Sequence, residues 1–387
     1  INAVKGFRDI LPDESARWRF LETEAFEVFA RYSFEEIRLP MAEKTELFAR
    51  SIGAATDIVE KEMYTFTDRG GTSITLRPEA TASVVRAAIE HGLVGPERER
   101  RFFYCGPMFR RERPQKGRFR QFYQIGVEAY GVAEATVEAE QIAMLYELYQ
   151  GVGIEDLTVL LNSVGSGDDR LRYREALVAF ASPFQGELCG DCQRRLSKNP
   201  LRLLDCKVKT CKQLMVDAPS VLESLGQESR EHFEGAQAAL DALGVPYTIE
   251  PRLVRGLDYY TGTVFEITAN AETLGNQSTI VAGGRYDGLV ESLGGPATPA
   301  VGFALGVERA VMSLSGTAED YSAKPQVFII SRGERASAAK LSLAAQLRQS
   351  GLYVELEHRP VSMKAQFKRA DKLCAQFVIT IGDEAVS

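Results

Sequence analysis

The stretch RERRFFYCGPMFRRERPQKGRFRQFYQIGVEAYG, residues 98–131, decides how the rest of the chain is read. FFYCGPMF and FYQIGVEAYG are rich in aromatic and β-branched residues, while ERPQKGR between them carries Pro, Gly and charge. That texture predicts strand, exposed basic loop, strand. From Arg98 to Arg120 nine Arg and Lys face two Glu, a local charge of +7 inside a chain whose formal charge is −7. A hairpin opposite in sign to its protein attracts an anionic ligand. Arg110, Arg111, Arg113, Arg118 and Arg120 are able to clamp phosphates, because a planar guanidinium makes paired, charge-assisted bonds to such oxygens. A solvated charged turn is the plainer reading of a basic hairpin. Here the arginines run on into the aromatic strands, which favours the anion site.

Composition narrows the field. At 387 residues the chain has room for two or three domains. Its 45% hydrophobic and 26% charged content is that of a soluble globular protein. No apolar run is long enough for a membrane span and INAVKGFRDILPDE lacks a signal-peptide pattern, so no membrane partner and a cytoplasmic location are expected. Six cysteines, four of them clustered, suit a reducing compartment. Mild net acidity excludes a protein coated in positive charge for indiscriminate nucleic-acid binding, yet leaves room for a local basic surface. There is no GxxxxGK[ST]. The three histidines, His91, His232 and His358, lie outside every motif, which argues against His-assisted nucleophilic catalysis.

Taken in order, Ser15 begins a helical pattern with Trp18, Leu21, Phe26, Phe29 and Tyr32 on its apolar face. FEEIRLPMAEKTELF (34–48) alternates as a strand and stops at Pro40. SITLRPEATASVVRAAIEHG (73–92) reads as a strand turning at Arg77-Pro78 into a helix ending at Gly92. Glu79, near that helix's start, either favours the dipole, worth ~0.3–1 kcal/mol at an exposed site, or grips an ammonium group together with Thr81. Residues 135–148 form an amphipathic helix and 157–165 a buried strand. From about 168 to 244 the chain turns helix-rich and reads as an insertion. Within it Cys189, Cys192, Cys206 and Cys211 are spaced as Cys-x2-Cys, thirteen residues, Cys-x4-Cys. That pattern suits a structural zinc site remote from the chemistry, or reduced thiols packed in a core. RGLDYYTGTVFEI (255–267) is a turn and a strand, and AVGFALGVERAVMSL (300–314) a strand running into a helix that carries Arg309. From Lys324 strands and helices alternate as β-α-β-α-β, a small parallel α/β unit with Lys364, Lys368 and Lys372 along one helix face.

FRRE, a basic loop and GRFRQFYQIGVE resemble motif 2 of class II aminoacyl-tRNA synthetases, in particular the histidyl-tRNA synthetase family. RGLDYYTGTVFEI is similar to that family's histidine signature, and AVGFALGVERAV to class II motif 3. TLRPEATA (75–82) and VKGFRDILP (4–12) match as well, in the family's order along essentially the whole chain. The resemblance implies an α/β chain with an α+β catalytic domain over 1–322: an antiparallel sheet flanked by helices, interrupted by the insertion at about 168–244. A small anticodon-binding domain over 325–387 would follow, with its last strand and helix beyond Ser387. Segment 34–48 corresponds to motif 1, so a homodimer is implied.

By the same resemblance the chain activates L-histidine with ATP and Mg2+, then transfers it to tRNA(His). Arg110 would hold the α-phosphate, with Arg255 opposite it; these two are the catalytic candidates. Glu112 would take the adenine side, Arg118 the γ-phosphate, and Arg309 would complete the ATP site. Glu79, Thr81 and Gln124 would hold the amino group, with Ala80 among the histidine-binding residues, while Glu128 and Tyr260, with Tyr259 nearby, would bracket the imidazole. Two distinct ring nitrogens read by a carboxylate and a phenol make chemical sense. The family usually has Gly where Ala80 stands, which bears on the local backbone path. Gln115 and Lys116 would meet the tRNA acceptor end. A silent regulatory paralogue is the competing reading, but such chains lose signature arginines that are kept here.

Overall fold

The computed structural model describes residues 1–53, 56–269, 274 and 278–386. In chain order its strands are β1 (Glu35–Glu36), β2 (Ala42–Lys44), β3 (Tyr64–Thr67), β4 (Ser73–Leu76), β5 (Arg100–Phe109), β6 (Gln121–Tyr130) and β7 (Thr158–Ser163). They continue as β8 (Tyr247–Ile249), β9 (Thr263–Thr268), β10 (Thr279–Arg285), β11 (Ala300–Gly306), β12 (Val327–Arg332), β13 (Val354–Leu356) and β14 (Phe377–Gly382). The chain forms two compact units, one of Ile1–Leu11 with Arg17–Gly316, the other of Pro12–Ala16 with Thr317–Ser387.

The first unit is built on an eight-stranded sheet in the order β1-β5-β6-β11-β10-β9-β7-β8. The basic hairpin supplies its second and third strands: β5 and β6 pair antiparallel from Arg100↔Tyr130 to Phe109↔Gln121. All neighbours are antiparallel except β1 beside β5 and β8 beside β7. The final six residues of β6, Ile125–Tyr130, are buried on both faces, as befits a strand covered by helices on one side and lining a core on the other.

One covering helix, Pro12–Arg31, starts three residues before the anticipated Ser15. Proline fits the first helical position, where its missing N–H is no loss, and Asp13 and Glu14 suit the positive end of the dipole. Its buried face is Trp18, Leu21, Ala25, Val28 and Phe29, so Ala25 and Val28 take the places expected for Phe26 and Tyr32. Phe29 packs 5.7 Å from Phe103 and 6.1 Å from Phe303.

In segment 34–48 the first strand, β1, is short and ends before Pro40; β2 and a helix Thr45–Ile52 follow, and β2 joins a separate three-stranded sheet β2-β4-β3. Pro40, with no N–H to donate, stands at the break. The insertion is helical as expected, with helices Gly167–Ala181, Gly190–Lys198, Lys209–Leu214 and Gln227–Leu243.

In the second unit β12 lies between β13 and β14, all parallel. Helices Glu334–Gln349 and Met363–Lys372 make the connections. Val327, Ile329, Ala344, Val354 and Leu356 form one side of its core, and Phe328, Ile330 and Ala370 the other.

Candidate active site

Where β5, β6, β9, β10 and β11 face the helix Thr81–Glu90, the first unit encloses a cavity of about 450 Å³. Glu79, Thr81, Arg110, Glu112, Arg118, Gln124, Arg255, Tyr259, Tyr260 and Arg309 all line it. Residues up to 230 positions apart in sequence are thus gathered around one cavity by the strands, loops and helix starts of the first unit.

One end of the cavity is acidic and aromatic. Glu79 is buried and accepts the backbone N–H groups of Thr81 (2.7 Å) and Ala82 (3.1 Å) at the start of the helix Thr81–Glu90. Glu79 thus sits where it favours the helix dipole, and it also lines the cavity. Burial pushes its pKa up, while the two N–H groups and Arg110 draw it back. Thr81 turns its hydroxyl the other way, donating to Glu128 at 2.7 Å. The Tyr286 hydroxyl also donates to Glu128. Glu128 is fully buried and its pKa is pushed up to about 8 by that burial. Gly302 lies opposite Glu128 in the sheet, and a Cβ there would strike the carboxylate. Tyr259 and Tyr260 stack with ring centroids 4.8 Å apart, and Tyr259 meets Tyr286 at 5.6 Å.

The other end is cationic. Arg110 donates through Nε to the Pro78 carbonyl (2.8 Å), and its guanidinium lies 5.2 Å from the Phe122 ring centroid. Arg118 pairs with Glu112 at 2.7 Å. Arg309 donates to the carbonyls of Thr279 (2.8 Å) and Gly117 (3.3 Å). Gly117 has φ +70°, a left-handed turn conformation that suits glycine and brings the basic loop back over the site. Burial, then the like charges of Arg118 and Arg110, lower the proton affinity of Arg309. Such crowding of cations is what a polyanion relieves. Arg255 pairs with Glu266 and sits 5.8 Å from the Tyr260 ring. Tyr104 Oη, Gln124 Oε1 and Arg255 Nε are buried with no partner of hydrogen-bond geometry. Three orphaned polar atoms in one cavity are unusual for a packed core and suit a bound polar ligand.

Three expectations need correcting or narrowing, and a fourth stays open. Ala80 offers no side chain to the cavity; it is a fully buried core residue with φ −114° and ψ −15°, a backbone that an L residue adopts freely. Glu128 shares the β6 face of Gln124 but is fully buried, reached from the cavity through Thr81 and Tyr286, which hydrogen-bond to it. Gln115 and Lys116 are exposed in the turn closed by Gln115 and Arg118, where a contact with the tRNA acceptor end stays an expectation. The cysteine cluster is not remote from the chemistry: Cys189 and Cys206 line a second cavity together with Arg110, Glu112 and Arg118.

Sequence reasoning missed Tyr104, Tyr286, Glu266 and Glu308. Both Glu308 oxygens accept the Tyr123 N–H, at 3.0 and 3.1 Å, from the strand across the sheet. A lone acid inside the apolar strand TVFEIT was the available signal for Glu266.

Known proteins resemble this chain along nearly all of its length. A family model described as histidyl-tRNA synthetase matches residues 6–168 and 193–310, and one described as an anticodon binding domain matches 326–387. The histidine–tRNA ligase of Trichlorobacter lovleyi is 51% identical over 99% of this chain and 90% of its own length. That of an Anaeromyxobacter species is 50% identical over 100% of this chain and 93% of its own. The crystal structure of apo S. aureus histidyl-tRNA synthetase superposes with a TM-score of 0.82 at 40% identity, covering 99% of this chain and 92% of that one.

Proposed function

The chain belongs to the histidyl-tRNA synthetase family, and we propose that its cavity is where histidine and ATP meet. The activity is histidine–tRNA ligation. Histidine and ATP give histidyl-adenylate and pyrophosphate, and the histidyl group then passes to the 3′ end of tRNA(His). One observation carries the placement: Arg110, Arg118, Arg255 and Arg309 line the same cavity as the Glu79, Tyr259 and Tyr260 end.

In the first step an oxygen of the histidine carboxylate attacks the α-phosphorus, and the bond to the β-phosphate oxygen breaks. No side chain need become a nucleophile, so alignment and charge stabilisation supply most of the acceleration. Arg110 and Arg255 hold the α-phosphate oxygens from two sides. Glu266 fixes the Arg255 fork, and the Pro78 carbonyl fixes that of Arg110, so both are aimed before the substrate arrives. Arg118 takes the γ-phosphate, and Glu112, now held by Arg118, the adenine side. Arg309 completes the nucleotide site, with the Phe122 ring as a stacking face. Glu79, Thr81 and Gln124 hold the ammonium group. Tyr259 and Tyr260 flank the imidazole, and Glu128 tunes that pocket from behind. In the second step a hydroxyl of the terminal ribose attacks the histidyl carbonyl and AMP leaves.

Magnesium supplies charge neutralisation on the phosphates. The carboxylates present fit it modestly: Glu266 and Glu308 are oxygen donors of the right kind. Both are engaged with protein groups, Glu266 with Arg255 and Thr279, so the ion would come bound to ATP. The reading extends to contacts of Gln115 and Lys116 with the tRNA acceptor end, and of the second unit with the anticodon. It also includes a cytoplasmic location and a homodimer, supported by the exposed apolar Met41 and Phe66 on and beside the small sheet.

Histidine-dependent exchange of pyrophosphate into ATP tests the reading, with Arg255→Ala alongside and other amino acids as controls. Exchange with histidine alone, lost in the variant, is the expected result. Histidine binding without exchange, in intact protein with magnesium, overturns it.

A further inference from the structure

We propose that Cys189, Cys192, Cys206 and Cys211 bind one zinc ion as a tetrathiolate, and that this ion fixes the wall of the active site that carries Arg255. The four Sγ atoms all lie within 4.8 Å of one another, with Cys189 and Cys206 3.9 Å apart. Sulfurs about 2.3 Å from a tetrahedral zinc stand about 3.8 Å from each other, so the thiols already sit near the corners such an ion needs. None is in a disulfide. The backbone N–H of Cys189 donates to Cys211 Sγ at 3.2 Å, a bond that stabilises a thiolate more than a thiol.

The alternative, four thiols as ordinary core filler, explains neither their mutual approach nor the poverty of the core around them. Among the described residues Ala181, Leu188, Leu196, Leu203 and Met215 complete that cluster as buried residues, with Val178, Phe180, Leu204 and Leu214 partly buried against it, and so small a core gains from a staple. Metal binding supplies one, because the ligands are gathered only when the segment is folded.

The peptide between the two ligand pairs touches the active site. Asn199 donates to the Asp258 carboxylate at 2.7 Å, and Arg202 to the Gly256 carbonyl at 3.0 Å. These contacts grip the chain just after Arg255. Arg195 adds an ion pair to Asp57 at 2.8 Å. Zinc would therefore hold Asn199 and Arg202 in place, and through them the backbone that aims Arg255. The metal claim stands apart from the assignment of the cavity; only the coupling to Arg255 rests on it.

The test uses the full chain, purified without chelator or polyhistidine tag, and elemental analysis for zinc. One zinc per chain is expected, released by a mercurial in step with four thiols. Cobalt in its place should show the thiolate-to-metal charge-transfer and intense d–d bands of a four-coordinate sulfur site. Cys206→Ser should retain far less than one zinc, while Cys374→Ser, at an exposed thiol outside the cluster, retains it all. Should Cys206→Ser fail to fold, the wild-type metal content and cobalt spectrum still decide. Reduced protein that holds no zinc, even after incubation with zinc chloride, overturns the site. Hydrogen exchange reads the coupling without any assay of activity: zinc removal should speed exchange at 255–260 together with 189–211 and leave 377–382 unchanged. Unaltered protection at 255–260 overturns the coupling.

Discussion

The hydroxyl of Thr81 donates a 2.7 Å hydrogen bond to Oε1 of Glu128, while the backbone N–H of the same residue goes to Glu79. One threonine thus holds two buried carboxylates at fixed separation, and only Glu79 reaches the cavity. Thr81→Val keeps the shape and deletes the hydroxyl. It leaves a buried carboxyl oxygen short of a donor, which costs about 1–3 kcal/mol. Denaturant unfolding should show that loss. In exchange kinetics KM for histidine should rise about tenfold, equivalent to ~1.4 kcal/mol, with KM for ATP little changed. Thr81→Ser should restore both. Equal rises in the two KM values would detach Thr81 from the amino-acid end.

Glu128 makes a pH prediction. Burial raises its pKa to about 8, with the Tyr286 and Thr81 hydroxyls opposing and the Glu79 charge adding to the rise. An unfolded glutamate titrates near ~4.3. Between those values the folded chain keeps a proton that the unfolded chain releases. The stabilisation linked to that proton is complete below ~4.3 and is lost as pH rises through about 8. Glu128→Gln removes the titration and keeps a partner for each hydroxyl. Its unfolding free energy relative to wild type should therefore climb steadily from roughly pH 5 to pH 8.5. Parallel profiles would mean that Glu128 is ionised throughout.

Local pattern carried much of this fold. The hairpin around Arg110 announced itself by aromatic strands flanking Pro, Gly and charge, and the β-α-β-α-β run by its alternation of periods. Misreadings arose where tertiary partners overrode local texture. Nothing near Pro40 shows that the segment leaves one sheet for another, since that choice depends on pairing with Ser73–Leu76. Tyr286 donates to Glu128, which lies 158 positions away. Glu308 meets Tyr123 across 185 positions. Such pairs leave no periodic trace, whereas Arg110, Arg255 and Arg309 were readable because the motifs that carry them are contiguous. Pro12 followed by Asp13 and Glu14 is a local helix-start signal, and the helix does begin there.

Arg285 forms a two-bond fork with Glu138, Nε to Oε1 and Nη2 to Oε2, each 2.8 Å, and His232 meets the same carboxylate at 2.6 Å. Burial works against the Glu138 charge, but Arg285 and His232 outweigh it and hold its pKa below the usual value. This stability is present above the unfolded carboxyl pKa and is lost as pH falls through the folded one. Arg285→Met strands a buried carboxylate and should cost about 3–5 kcal/mol, whereas pairing it with Glu138→Leu should recover most of that loss. Denaturant titrations of the single and double variants check the cycle. Additive losses would show that the fork contributes little.

Arg309 separates nucleotide binding from amino-acid binding. It stands close to Arg118 and Arg110, whose charges oppose its own, so a polyphosphate gains from neutralising all three. A ligand that binds only the folded state stabilises it by about 2.7 kcal/mol at a hundred times its Kd. Wild-type protein should show such a rise in Tm with magnesium-ATP and a separate rise with histidine. Arg309→Gln keeps a donor for the Thr279 carbonyl, so the Tm without ligands should change little. Its magnesium-ATP shift should collapse while the histidine shift survives, because Glu79, Thr81 and Gln124 are untouched. Loss of both shifts would mean that Arg309 supports the cavity as a whole, and retention of both would move the nucleotide away from it.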